Sequence, residues 1–208
     1  MTAQETERIA QPGVDGNSRL TAVNGVLLLV LLAVEGLTIL SVRQLITLHV
    51  YLGILLLGPV ALKCASTVYR FARYYAGAPS YVARGVPHLV LRILGPVVIL
   101  SSLAVIGTGI GLIYTGPDHS EPLLTLHKGS FIVWFIAMTL HVLGHVLEAS
   151  RVTWQELRDP RAAAATRRRR WRSLAIVVSL LAGVGLATAL YPSAHAWTGG
   201  QYARHEDH

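Results

Sequence analysis

The 208-residue chain is poor in charge and nearly free of cysteine. Charged residues make up 14% of the sequence and apolar residues 52%, whereas a soluble domain carries about 25% charged residues. The charges also cluster, leaving long stretches with almost none, which excludes a soluble globular enzyme and a disordered chain. The single cysteine, Cys64, excludes a disulfide framework, an iron–sulfur cluster and a zinc–thiolate site within the chain.

Long apolar segments fill most of the sequence instead. A helix needs about 20 mostly apolar residues to cross a bilayer. Spans 1 to 5 meet this requirement and are Leu20–Val42, Leu45–Tyr69, Ile93–Tyr114, Leu123–Leu147 and Ser173–Tyr191. Span 1 is not a cleavable signal peptide, because it begins late, is too long and lacks a small-residue cleavage site. The sequence therefore predicts an all-α integral membrane protein.

The arginines predict the orientation of these spans. Most of them lie between spans 2 and 3 and between spans 4 and 5, where Arg167–Arg170 forms a continuous run. Cytoplasmic connections are enriched in Lys and Arg, so the N-terminus is expected inside and the C-terminus outside. The same rule explains the arginine run without a nucleic-acid partner. We expect a multi-pass protein of the cell's inner (plasma) membrane, in contact with lipid. The predicted segments are a polar segment 1–19, a bundle 20–148, a basic connection 149–172, a fifth span 173–191 and an outer tail 192–208.

Ionisable residues inside the spans indicate a functional site, because they are costly at membrane depth. His127 and His141 are 14 residues apart on span 4, which puts both rings on one face, about 21 Å apart along the helix axis. Span 2 carries the same interval from His49 to Lys63. Because spans 2 and 4 enter from the same side, His49 should face His127 near the outer surface, and Lys63 should face His141 near the inner one. Such pairs can hold flat, metal-centred rings at two depths.

Small residues repeat this interval on the other two spans. Gly95 and Gly109 are 14 residues apart on span 3, as are Ala22 and Gly36 on span 1. A flat macrocycle between spans 2 and 4 must also fit against spans 1 and 3, and small residues leave room for it. The alternative is ordinary small-residue packing of membrane helices.

Together these residues resemble the four-helix, two-haem bundle of the membrane cytochromes b. The closest likeness is to the N-terminal half of the cytochrome b subunit of quinol:cytochrome c oxidoreductases, over residues 20–148. The chain is also similar to small b-type subunits of membrane oxidoreductases. The resemblance implies two b-type haems, one near each membrane face. The chain departs from this family because Lys63 replaces the fourth histidine and the Pro-Glu-Trp-Tyr quinol motif is missing.

Alternatives stay open at the inner level. Lys63 can ligate only as a neutral amine, which burial favours, or it can extend its ammonium to the headgroups. His88, at the inner mouth of span 3, is the second candidate partner of His141. His145, one turn beyond His141, can replace it as ligand or contact a haem propionate. Two arginines are candidate propionate partners or interface anchors: Arg92 and Arg43.

The predicted function is electron transfer across the bilayer between a quinone/quinol pool and a redox partner, such as an extracytoplasmic redox protein. Assembly into an oligomer or a larger oxidoreductase complex fits this function, as does direct reactivity with quinol or ferric iron. Glu35, in the outer part of span 1, is a candidate proton acceptor. The competing hypothesis is a non-redox transporter or sensor whose intramembrane histidines relay protons or bind a metal.

Overall fold

A computed structural model describes residues 12–83, 89–158 and 166–198. These residues are almost entirely helical, and no strand occurs among them. The helices are α1 (Pro12–Ile39), α2 (Val42–Leu55), α3 (Leu57–Tyr75), α4 (Pro79–Ala83), α5 (Leu89–Thr115), α6 (Glu121–Arg158), α7 (Thr166–Leu190) and α8 (His195–Thr198), with 3-10 turns at Pro117–His119 and Tyr191–Ala194.

The five predicted spans are confirmed as helical stretches long and apolar enough to cross a membrane. They run over Gly16–Ile39, Val42–Tyr75, Arg92–Thr115, Glu121–His145 and Arg170–Thr198. The helices differ from the prediction in several places; α6, for example, continues to Arg158, inside the predicted connection 149–172. The first helix begins at Pro12, inside the segment expected to be a polar N-terminal stretch, and span 2 consists of two helices, α2 and α3. The span numbers are kept below.

Spans 1 to 4 form a ring in chain order. Span 4 packs along span 3 and also against span 1, while span 2 packs against span 1 and more sparsely against span 3. Spans 2 and 4 therefore lie diagonally across the bundle from each other. Span 5 packs mainly on span 2, outside the ring. This arrangement places the two spans that carry the paired ionisable residues at opposite corners of the ring.

Glycines set the contact between spans 2 and 5. Pro59, just after the junction of α2 and α3, has no N–H to donate to the carbonyl of Leu55. Gly183 of span 5 lies directly against that carbonyl, and Gly58 lies against the carbonyl of Ser179. A Cβ on either glycine would collide with these backbone atoms, so the close crossing requires glycine on both spans.

The ends of the spans that the sequence predicts to lie outside, called the outer ends below, are tied together tightly; the opposite ends are called inner. Spans 1 and 2 are joined by only Leu40 and Ser41. After span 5 the chain turns back, and the indole of Trp197 donates a hydrogen bond of 2.7 Å to the carbonyl of Leu112 near the end of span 3. The same carbonyl also accepts the backbone N–H of Gly116 at 3.2 Å, so the indole adds a second hydrogen bond at the end of span 3. The first part of the predicted outer tail thus caps the bundle.

Candidate cofactor site between spans 2 and 4

Two histidines meet across the diagonal of the bundle near its outer end. The ring centroids of His49 and His127 are 6.5 Å apart, with the ring planes at 80°. Two imidazoles that ligate one metal from opposite sides, with bonds of about 2 Å, have centroids about 6 Å apart. The structure thus brings together the pair that the 14-residue pattern placed at one depth, at a separation close to that of a shared metal.

Hydrogen bonds on span 1 fix the proton of His49. Its Nδ1 lies 2.9 Å from Oε1 of Glu35 and 3.0 Å from Oγ1 of Thr38. The Thr38 hydroxyl gives its only proton to the backbone carbonyl of Glu35, at 2.5 Å. It can therefore only accept from His49, so Nδ1 carries a proton; in the neutral imidazole, Nε2 then keeps the lone pair.

The same reasoning applies to His127. Its Nδ1 lies 3.0 Å from Oγ1 of Thr108 on span 3, and that hydroxyl donates to the carbonyl of Ala104, at 2.7 Å. Nδ1 of His127 is therefore the donor, and its Nε2 also keeps a lone pair. Metal-ligating histidines almost always donate their other ring N–H to a neighbouring group in this way. The contacts of both rings therefore use Nδ1, which leaves Nε2 of each neutral imidazole for ligation.

The predicted glycines differ in what surrounds them. A Cβ on Gly109 would lie 3.2 Å from Cε1 of His127, so this glycine lets the ring pack against span 3. Cβ atoms on Gly36 and Gly95 would meet nothing within 4 Å. Open space at these two positions suits a flat group that lies beside spans 1 and 3, although Gly36 is exposed and the same space also opens toward lipid.

At the inner level Lys63 contacts span 1. Its Nζ donates a hydrogen bond of 2.8 Å to the carbonyl of Thr21, and a Cβ on Gly25 would lie 3.1 Å from that Nζ. The small residue beside the amine is therefore Gly25, where the sequence pattern selected Ala22.

His141 has an unsatisfied nitrogen. Its ring lies beside that of His145, with centroids 4.9 Å apart and planes at 58°. Nδ1 of His141 is buried and has no hydrogen-bond partner in the described part of the chain. A buried polar atom without a partner is costly, and a bound group can relieve that cost. The donor set at this level is thus compatible with a ligand, but it is less organised than the outer one.

A polar seam between spans 1 and 2 was not foreseen. The side chain of Asn24, 1% exposed, donates to the carbonyl of Pro59 at 2.9 Å. Further along the same face of span 1, the hydroxyl of Thr21 donates to the hydroxyl of Ser66 at 3.1 Å. The side-chain amide of Asn17 donates to the backbone carbonyl of Ser66 at 3.2 Å. The helical spacing of 17, 21 and 24 was the signal that could have revealed this seam.

The remaining predicted residues lie apart from this pairing. Arg92 donates to the phenol of Tyr75 at 2.6 Å and lies over its ring, which joins the inner ends of spans 2 and 3. Arg43 is exposed at the start of α2. His88 lies outside the described residues.

Comparisons with protein-family models, curated proteins and solved structures find no match to this chain. Within the residues that the structure describes, no three His, Cys, Asp or Glu side chains come together as a metal-ion site. A haem needs at most two axial ligands from the protein, so the relevant arrangement is the pair on spans 2 and 4.

Proposed function

We propose that this protein is a di-haem b-type membrane cytochrome that carries electrons across the bilayer between a quinone/quinol pool and a redox partner. The observation that supports it most directly is the His49–His127 pair. Two spans that lie diagonally opposite present imidazoles with centroids 6.5 Å apart. Each ring uses Nδ1 for a hydrogen bond and leaves Nε2 available.

The outer haem would be held by His49 and His127, with Gly109 letting the His127 ring pack closely against span 3. Bound haem iron supplies one-electron chemistry by alternating between its ferric and ferrous states. The protein's part is to ligate the iron, to fix the distance between the two levels and to exclude water. Glu35, Thr38 and Thr108 orient the imidazoles, as outer-shell partners of metal ligands do.

The inner haem would be held by His141. Lys63 is its proposed partner, because the interval of 14 residues from His49 to Lys63 equals that from His127 to His141 and predicts the amine at the same depth as His141. Ligation would require the amine to be neutral and to release the carbonyl of Thr21. His88 is the second candidate partner, while His145, Arg92 and Arg43 are proposed to contact propionates.

The orientation follows from the arginine-rich connections, which favour a cytoplasmic N-terminus in the inner (plasma) membrane. Electrons would then pass between the inner and outer levels of the bundle. An extracytoplasmic redox protein or a quinol is the proposed exchange partner at one end. This arrangement is consistent with a separate cytochrome and with a subunit of a membrane oxidoreductase. In either form the protein could react with quinol or ferric iron.

The test is the optical spectrum of protein purified in detergent from cells well supplied with haem. We expect the absorption bands of reduced b-type haem after addition of dithionite, and partial reduction after addition of a quinol. The double variant His49→Ala, His141→Ala is expected to lose these bands, whereas His119→Ala, which changes an exposed histidine in the outer loop, should keep them. A colourless wild-type preparation would contradict the proposal.

One observation favours a second candidate, a proton-coupled transporter or sensor. A carboxylate bonded to an imidazole inside a membrane, as in Glu35 and His49, is also the arrangement of a proton relay. In that case the purified protein binds no haem, and reconstituted vesicles show proton movement that Glu35→Gln abolishes. A haem-containing preparation without such movement would exclude this candidate.

A further inference from the structure

The two outer histidines have different partners, although both donate through Nδ1. His127 donates to a neutral hydroxyl, that of Thr108. His49 donates to a hydroxyl and also to a carboxyl oxygen, Oε1 of Glu35, at 2.9 Å. The Glu35 side chain is 12% exposed. Its second oxygen, Oε2, is buried without a partner in the described part of the molecule. The imidazole of His49 is thus the hydrogen-bond partner of this carboxyl group among the described residues.

We propose that Glu35 is a positioning residue for His49: it holds the imidazole in the Nδ1–H tautomer, with Nε2 free, and makes that nitrogen a more basic ligand. The inference rests on the proposed function but goes beyond it, because it assigns to one side chain of span 1 the control of the outer haem's reduction potential. The geometry that carries it is the Glu35–His49–Thr38 contact set across the two-residue turn between spans 1 and 2.

The direction of the effect follows from charge. A carboxylate that accepts the Nδ1 proton in a hydrogen bond transfers electron density to the ring, which raises the basicity of the opposite nitrogen. A more basic ligand and a nearby negative charge both stabilise ferric iron over ferrous iron. Glu35 should therefore lower the reduction potential of the outer haem, and its removal should raise that potential.

The experiment is a redox titration of the purified, haem-loaded protein and its Glu35→Gln variant, followed by optical spectra. We expect one of the two haem components to become at least tenfold easier to reduce, equivalent to about 59 mV for a one-electron couple. The other component should not move. Thr38→Val, which removes the neutral acceptor, should shift the same component by less. This variant is the second test if Glu35→Gln reduces the yield of folded protein.

The matched control is Glu121→Gln, which removes the same charge from an exposed residue at the start of α6. Its titration curve should match that of the wild type. A separate readout needs no haem and uses 15N NMR of histidine-labelled, haem-free protein. The signal that disappears in His49→Gln is assigned to His49, and it should show the Nδ1–H tautomer. Neutral histidine in water exists mainly as the other tautomer, so the protein must impose this state.

The outcomes separate this inference from the proposed function. If haem is bound but neither component moves in Glu35→Gln, or if both move equally, Glu35 does not act through His49 and the inference is overturned while the cytochrome stands. An Nε2–H signal for His49 overturns it as well. If the protein binds no haem but shows the Nδ1–H signal, the tautomer assignment holds and the proposed cytochrome function is the claim that fails.

Discussion

The outer and inner ends of the bundle hold their ionisable side chains in different ways. At the outer end, His49 and His127 each donate a hydrogen bond to a neighbouring span, and their rings lie 6.5 Å apart across the diagonal. At the inner end, Nδ1 of His141 has no partner among the described residues. The amine of Lys63 bonds to a backbone carbonyl of span 1. One level is preorganised by its surroundings, whereas the other must rearrange before its two side chains can share a ligand.

This difference should affect how tightly each level binds a haem. Side chains already held in the bound geometry need little ordering when a ligand arrives, and this preorganisation strengthens binding. At the inner level the hydrogen bond between Lys63 and Thr21 would have to break first, which costs part of the binding free energy. If the protein holds two haems, the outer one should therefore bind more tightly and leave last when haem is extracted.

The largest expected effect comes from removing one ligand at each level. His127→Ala should abolish the outer haem and leave the inner one, while His141→Ala should do the reverse. Haem content and the spectra of the two variants check this, and the two spectra should add up to that of the wild type. If both variants lose all haem, or if neither loses any, the division into two levels is wrong.

A smaller effect is expected from Lys63→Met, which keeps the length of the side chain but removes the amine. As a proposed ligand, Lys63 should affect only the inner haem, whose ligand-sensitive absorption bands and electron paramagnetic resonance signal should change. Lys128→Met, at an exposed position near the outer end of span 4, is the control. If Lys63 only bonds to Thr21, the haem signals stay as in the wild type and stability falls by about 1 kcal/mol.

The smallest expected effect concerns the packing of the His127 ring. Gly109→Ala places a methyl group 3.2 Å from Cε1 of this ring, so the ring must shift by a few tenths of an ångström. We expect a several-fold faster loss of the outer haem on dilution into apomyoglobin, a haem acceptor. Gly107→Ala, on the same span with nothing within 4 Å of its Cβ, should behave like the wild type. Equal rates for both variants would show that Gly109 does not support the ring.

Periodicity and spacing predicted a large part of this arrangement. The five spans were readable because about 20 apolar residues are needed to cross a bilayer. The pairing of His49 with His127 followed from two equal intervals on two parallel helices. The contact of Glu35 with His49 did not follow, because it depends on the two-residue turn that brings the outer ends of spans 1 and 2 together.

The rotation of span 1 was also beyond the sequence pattern. An interval of 14 residues favoured Ala22 as the small residue at the inner level, but the bond from Asn24 to the carbonyl of Pro59 fixes the face that span 1 presents to span 2. This orientation puts Gly25 beside the amine of Lys63. The glycines that join spans 2 and 5 were missed for a similar reason, since their requirement comes from backbone atoms of another helix.

The most direct test of the central claim is the haem content per chain of the purified, detergent-solubilised protein, determined from its haem absorbance and from quantitative amino-acid analysis. The paired residues on spans 2 and 4 predict two haems per chain, with the loss of one in His49→Ala. A wild-type protein that folds but carries no haem, after expression in cells well supplied with it, would contradict the proposal that these side chains bind iron porphyrins.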